Sequence, residues 1–197
     1  MKIYLAGPEV FLPSAHDVFA KKLRLCKKYG VEGVTPFDNE IALYDFEPRE
    51  AAFAIFKQNI ELINKSDAVL ANITPFRGVH MDPGTSFEIG YAFAQGKKIS
   101  AYTQDGRDIV GRTNGVLREP KNPTGFYHDQ TANPHPTAER FFDPQGLLVE
   151  NFGMTENLMI KCALMQNGVL VAVHDLPENQ QFYSTLGFEQ ALLNLLA

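Results

Sequence analysis

Between Pro83 and Ala94 the chain carries one charged side chain, Glu88, set among small and apolar residues including Phe87, Ile89, Gly90 and Tyr91. A carboxylate in such surroundings is costly to bury unless something needs it there. The helix that holds it follows a strand, and the amide dipoles at its start favour negative charge. That can keep Glu88 ionised in a poorly solvated place, as a carboxylate nucleophile requires. The alternative is a surface residue on an exposed strip of helix, and pattern alone leaves both readings open. Asp82 stands before Pro83, the signature of a helix N-cap. Other polar residues carry less by themselves. Tyr4 reads as core, Asn59 as a solvated helix residue, and Asp38, Asn39 and Glu40 as loop residues. Asn157, in "FGMTENLMI", is uninformative alone.

The elements that must position these groups alternate. "KIYLAG" reads as a strand ending in a loop, residues 14–29 as an amphipathic helix capped by Ser14, and "GVEGVTPFDNE" as a short strand running into a polar loop. Residues 48–65 read as a second helix with Phe53, Phe56, Ile60 and Ile63 on one face. "DAVLANI" is apolar enough for a strand buried on both faces, the Glu88 helix follows, and "KKISAYT" and "GVLVAVHD" are further strands. A last helix is expected from about 178 to 196. Strands alternating with helices predict a parallel sheet covered on both faces, with ligands bound outside the strands' carboxyl ends. Residues 104–150 are rich in Pro, Gly, Asn and Asp, too long for an ordinary connection. They read as a loop-rich insertion in one domain spanning 1–197: a lid, a partner contact or a mobile loop.

Composition narrows the function classes. The chain has 197 residues, formal net charge −5 and no Lys/Arg run longer than a pair, so nothing suggests nucleic-acid binding. The first apolar run is too short for a signal peptide and no apolar stretch reaches spanning length, so no membrane association is expected. Cys26 and Cys162 read as reduced thiols of a cytoplasmic protein. The five histidines form no pair at metal-ligand spacing. The dinucleotide fingerprint, the P-loop and the G-x-S-x-G elbow are absent.

Five blocks in order, "IYLAGPEVF", "TPFDNE", "QNIELINKSDAVLANITPFRG", "DPGTSFEIGYA" and "FGMTENLMI", resemble the nucleoside 2-deoxyribosyltransferases, with a closer likeness to the purine-type branch. The matching blocks cover most of residues 1–103 and 151–175. The resemblance implies a flavodoxin-like α/β fold, a doubly wound parallel sheet of about five strands with helices on both faces. It implies transfer of a 2-deoxyribosyl group between nucleobases with retention at the anomeric carbon, in nucleoside salvage. By position it makes Glu88 the nucleophile, Tyr4 its orienter and Asp82 a sugar contact or handler of the base proton. Asn157 corresponds to a residue contributed by a neighbouring subunit, so a homo-oligomer is expected, with a dimer as building block and a hexamer common in the family. Asn59 and Glu40 stand where the broad-specificity branch has aspartate and glutamine. This favours purine 2′-deoxynucleosides and free nucleobases as substrates.

The residue types suit that chemistry. Breaking the C1′–N bond develops an oxocarbenium-like sugar, which a carboxylate can trap covalently before the second base attacks, as in retaining glycoside hydrolysis. Asp82 would act as acid and then base, with Asn59, Asp38 and Glu40 for base or sugar recognition. Gly7 and Phe11 would floor the pocket, glycine by allowing close approach and phenylalanine by stacking. No cofactor is needed. The alternatives are a deoxynucleoside or deoxynucleotide N-glycosidase, and a non-catalytic sensor of nucleotide derivatives. Glu9 in the first loop, where a phosphate would want Ser, Arg and backbone amides, argues against a 5′-phosphate.

Overall fold

The computed structural model describes residues 1–38, 46–119, 139–168 and 170–197. The first half runs β1 (Lys2–Ala6), a 3₁₀ turn (Pro8–Phe11), α1 (Ala15–Lys28), β2 (Glu32–Val34), α2 (Pro48–Asn64), β3 (Ala68–Asn72), α3 (Pro83–Ala94) and β4 (Lys98–Thr103). After it come α4 (Ile109–Arg112), β5 (Leu117–Glu119), β6 (Arg140–Phe142), β7 (Leu148–Val149), α5 (Leu158–Gln166), β8 (Ala172–Val173), a 3₁₀ turn (Glu178–Gln180) and α6 (Leu186–Leu196).

Five strands form a parallel sheet in the order β2-β1-β3-β4-β8. This is the expected doubly wound α/β arrangement, and its order reverses between β1 and β3, where such sheets open a crevice. Alternation along β1 assigns its side chains to two cores. Tyr4 and Ala6 join Ile63 of α2, Ile89 and Ala92 of α3 and Leu164 of α5 on one face. Ile3 and Leu5 join Phe19 of α1 and Phe188, Ala191 and Leu192 of α6 on the other. The phenol of Tyr4 is thereby committed to the side that carries α3.

Several elements differ from the sequence expectation. The excursion at 104–150 contains α4 and a three-stranded antiparallel sheet, β5-β6-β7, among its described residues. Ser14 takes the N-cap position of α1 without a side-chain bond. The last helix starts at Leu186 rather than near 178, because residues 178–180 close a separate 3₁₀ turn. The apolar face of α2 is largely uncovered: Ile63 is buried, whereas Phe53 and Phe56 are exposed. Phe53 stacks on Phe56, Phe56 meets Phe87, and Phe87 stacks on Tyr91, a surface ladder running from α2 to α3. Among the described residues no helix is long and apolar enough to cross a membrane.

A buried polar cluster fixes the loop after β1. Glu9 and Lys22 are each 1% exposed and pair at 2.6 Å. The same Glu9 oxygen accepts from Asn72 Nδ2 at 2.7 Å and from the Tyr102 hydroxyl at 2.8 Å. Removing one member of a buried ion pair strands the other charge, at a cost of about 3–5 kcal/mol. Lys22→Met is therefore expected to lower unfolding free energy by about that amount, measured by urea denaturation. A loss within error of zero would show that the Asn72 and Tyr102 bonds suffice to hold Glu9 without the ammonium.

Candidate active site

Tyr4 is fully buried, yet its hydroxyl reaches across the β1–α3 interface and donates to Glu88 Oε1 at 2.6 Å. Two local features place Glu88 there. Asp82 caps α3 by accepting from Thr85 N at 2.8 Å and from Thr85 Oγ1 at 2.9 Å, and Pro83 takes the first helical turn. Six residues on from the cap, the Glu88 side chain returns toward the sheet.

Glu88, with Tyr4 behind it, sits at one wall of a cavity of ≈ 400 Å³ beyond the carboxyl ends of β1 and β2. Gly7, Val10 and Phe11 line it from the loop after β1, Pro36 and Phe37 from the loop after β2, Ile55 and Asn59 from α2, and Asp82, Gly84, Thr85 and Glu88 from α3. Gly7 is required by close approach. A Cβ there would collide with Glu9 Oε2 and lie 3.0 Å from Asn72 Cβ. Phe11 is 55% exposed; its ring stacks on Phe76 at 5.2 Å and lies under the Arg77 guanidinium. Asn59 Oδ1 is buried with no hydrogen-bond partner among the described residues.

The structure thus brings together Glu88, Asp82, Gly7, Phe11 and Asn59, with Tyr4 behind Glu88. It does not bring in Asp38. That carboxylate accepts from Thr35 N at 2.7 Å and closes the turn after β2, while its neighbours Pro36 and Phe37 face the cavity instead. Glu40 lies outside the described residues. Asn157 lines a different cleft with His80, Met81 and Pro83, and it caps α5 by accepting from Met159 N while donating to Glu150. Glu9, read as facing a ligand in the first loop, is turned into the protein by Lys22, Asn72 and Tyr102. Its presence therefore says nothing against a phosphate. The wall residues Val10, Phe37 and Ile55 escaped sequence reasoning, since an apolar residue that lines a cavity has the same pattern as one that fills a core.

Electrostatics also depart from the sequence argument. Burial pushes the Glu88 carboxyl up to about 7; the Tyr4 hydrogen bond opposes this and the nearby Asp82 charge adds to it. Desolvation is the largest of these effects, so Glu88 titrates close to neutral pH rather than being held firmly ionised. Burial, followed by the Glu88 charge and hydrogen bond, raises the Tyr4 phenol as well, and it stays a donor.

Two measurements follow. Tyr4→Phe removes the bond that favours the carboxylate, so the Glu88 titration, followed by carbon NMR, should move above 7. A shift below 7 would contradict the geometry. The folded state also keeps a proton on Glu88 that the unfolded chain, with an ordinary value of 4.5, has already lost. The contribution is present below pH 4.5 and is lost as pH rises to about 7. Glu88→Gln should therefore exceed the wild type in stability at pH 8 by on the order of 3 kcal/mol, with the gap closing toward pH 4.5. Urea denaturation at the two pH values tests this.

Comparisons with known proteins agree with this fold. An uncharacterised protein of Schizosaccharomyces pombe is 31% identical over 176 residues, covering 87% of this chain and 80% of its own. A solved 2-desoxiribosyltransferase from Leishmania mexicana is 32% identical, with a TM-score of 0.57 over 81% of this chain and 84% of its own. The family profile described as nucleoside 2-deoxyribosyltransferase matches residues 3–159, which span β1, the cavity loops and the whole of α3. The chain belongs to the nucleoside 2-deoxyribosyltransferase family.

Proposed function

We propose that this protein transfers a 2-deoxyribosyl group from a purine deoxynucleoside to a second nucleobase, through a covalent intermediate on Glu88. The observation that carries the reading is the Tyr4–Glu88 pair at 2.6 Å in the wall of a cavity that also holds Asp82. The ionised Glu88 oxygen bonds to C1′ as the C1′–N bond breaks and its electron pair leaves with the base. The two neighbouring carboxyls share one proton; with Glu88 ionised for attack it sits on Asp82, which supplies it to that base. Both of its hydrogen bonds from Thr85 use Oδ2, which leaves Oδ1 for the proton. In the second half the incoming base returns a proton to Asp82 and displaces Glu88. Two inversions give net retention.

The walls support a planar base. Phe11 and Phe37 contribute aromatic side chains to the lining, with Val10 and Ile55 as further apolar residues. Asn59 Oδ1, buried without a partner among the described residues, is an acceptor that a base N–H would complete. The likeness to the purine-type branch supports the purine preference.

Incubation with deoxyinosine and adenine should yield deoxyadenosine, and deoxyinosine alone should release little hypoxanthine. Glu88→Ala should abolish transfer with the fold retained; near-normal activity in that variant rules out the mechanism. Asp82→Asn should slow deoxyinosine far more than 7-methyl-2′-deoxyguanosine, whose base leaves without an acid.

Self-association belongs to the same proposal. The ladder Phe53, Phe56, Phe87 and Tyr91 is a contiguous aromatic surface on one chain, of the kind that marks an interface. A second copy covering it would complete an oligomer, with Asn157 placed at the neighbouring site. Light scattering should give at least twice the chain mass, and Phe56→Glu should lower it. A wild-type mass equal to one chain overturns this part of the proposal.

A further inference from the structure

Among the described residues Glu9, Asp82, Asp105 and Glu156 are buried carboxylates, and the proposed mechanism leaves Glu156 unused. Glu156 is 1% exposed and does not line the Glu88 cavity. Three donors converge on it. His80 Nδ1 lies 2.7 Å from one oxygen, Asn157 N donates to that same oxygen at 2.8 Å, and Met81 N donates to the other at 2.8 Å. Burial pushes this carboxyl up, but the bonds from His80, Asn157 N and Met81 N outweigh burial and hold it below the usual carboxylate range.

The residues it grips immediately precede Asp82. Arg112 of α4 reinforces the junction from the other side. Its guanidinium donates to the carbonyls of Val79 at 3.2 Å, Thr155 at 2.6 Å and Asp105 at 3.0 Å. Residues 79–81 are thus pinned to residues 155–157 by two buried charged groups, one accepting from N–H groups and the other donating to carbonyls. Asp82 inherits its position from this pinned segment on one side and from its own cap on α3 on the other.

We propose that Glu156 is a positioning residue for the sugar-transfer reaction: by fixing His80 and Met81 it aims the Asp82 carboxyl at the departing base. The inference rests on the function proposed above. A glutamine at 156 keeps the shape, but it replaces one acceptor oxygen with an NH₂ group that faces a donor. The segment before Asp82 then loosens while the Glu88–Tyr4 pair, anchored on β1 and α3, keeps its place. Acid catalysis of base departure should suffer, and nucleophilic capture of the sugar should not.

The test compares two donors in Glu156→Gln. With deoxyinosine, kcat should fall about tenfold at nearly constant KM, a fraction of the about 10²–10⁴-fold that a general acid supplies. With 7-methyl-2′-deoxyguanosine the loss should stay below about twofold. Equal losses on both donors, or no loss on either, overturn the proposal. Asp82→Asn, run alongside, separates the two levels. If it lacks the donor-selective loss, the role assigned to Asp82 fails and this inference fails with it. If it has that loss and Glu156→Gln does not, this inference alone fails. Should Glu156→Gln not fold, His80→Ala, which removes a half-exposed partner, should give the same selectivity at about threefold. Its absence there is equally decisive.

Discussion

The bond from Tyr4 to Glu88 ties the sheet to the chemistry. Neither group is favourable where it lies: the phenol is fully buried and the carboxyl is pushed to about 7. Each is the polar partner that makes the other's position tolerable. The bond forms only if Tyr4 points to the α3 face of the sheet and α3 begins at Asp82. A one-residue slip in β1 would send the phenol to the α1–α6 face. A later start to the helix would rotate Glu88 away from the sheet. Register and cap are thus the conditions under which the cavity acquires a reactive group.

The molecule treats its buried carboxylates differently, and the differences separate structure from chemistry. Glu9 meets the Lys22 ammonium, an amide and a phenol, and it holds the loop that carries Gly7 and Phe11. Glu156 is saturated by two backbone N–H groups and His80. Glu88 has a single neutral donor and an open cavity in front of it. A group left under-compensated beside a space of ligand size is the candidate for chemistry. Stability given up at Glu88 fits the role proposed for it.

The excursion after β4 is joined to this arrangement rather than appended to it. Arg112 belongs to that excursion, yet its guanidinium grips the loop before α3 and the segment before α5. The described parts of the excursion fold as a small antiparallel sheet, and Arg112 of α4 ties the excursion to the loop before α3.

Much of this was legible in the sequence because it is local. Apolar runs such as "DAVLANI" have the composition of doubly covered parallel strands, and Asp-Pro at 82–83 starts a helix whatever surrounds it. The five ordered blocks pointed to the family and, with it, to Tyr4, Asp82 and Glu88. Other features depend on residues far apart in the chain, and only the tertiary structure decided them. Asp38 was claimed by its own turn, Glu9 turned inward to Lys22, and the apolar face of α2 was left outside the core. Glu156 had no signal as a clamp, because its partners His80 and Met81 lie about 75 residues upstream. Even the charge state of Glu88 was beyond the pattern. A helix dipole can be read from sequence position, but desolvation depends on what packs around the group, and it is the main cause of the raised Glu88 carboxyl.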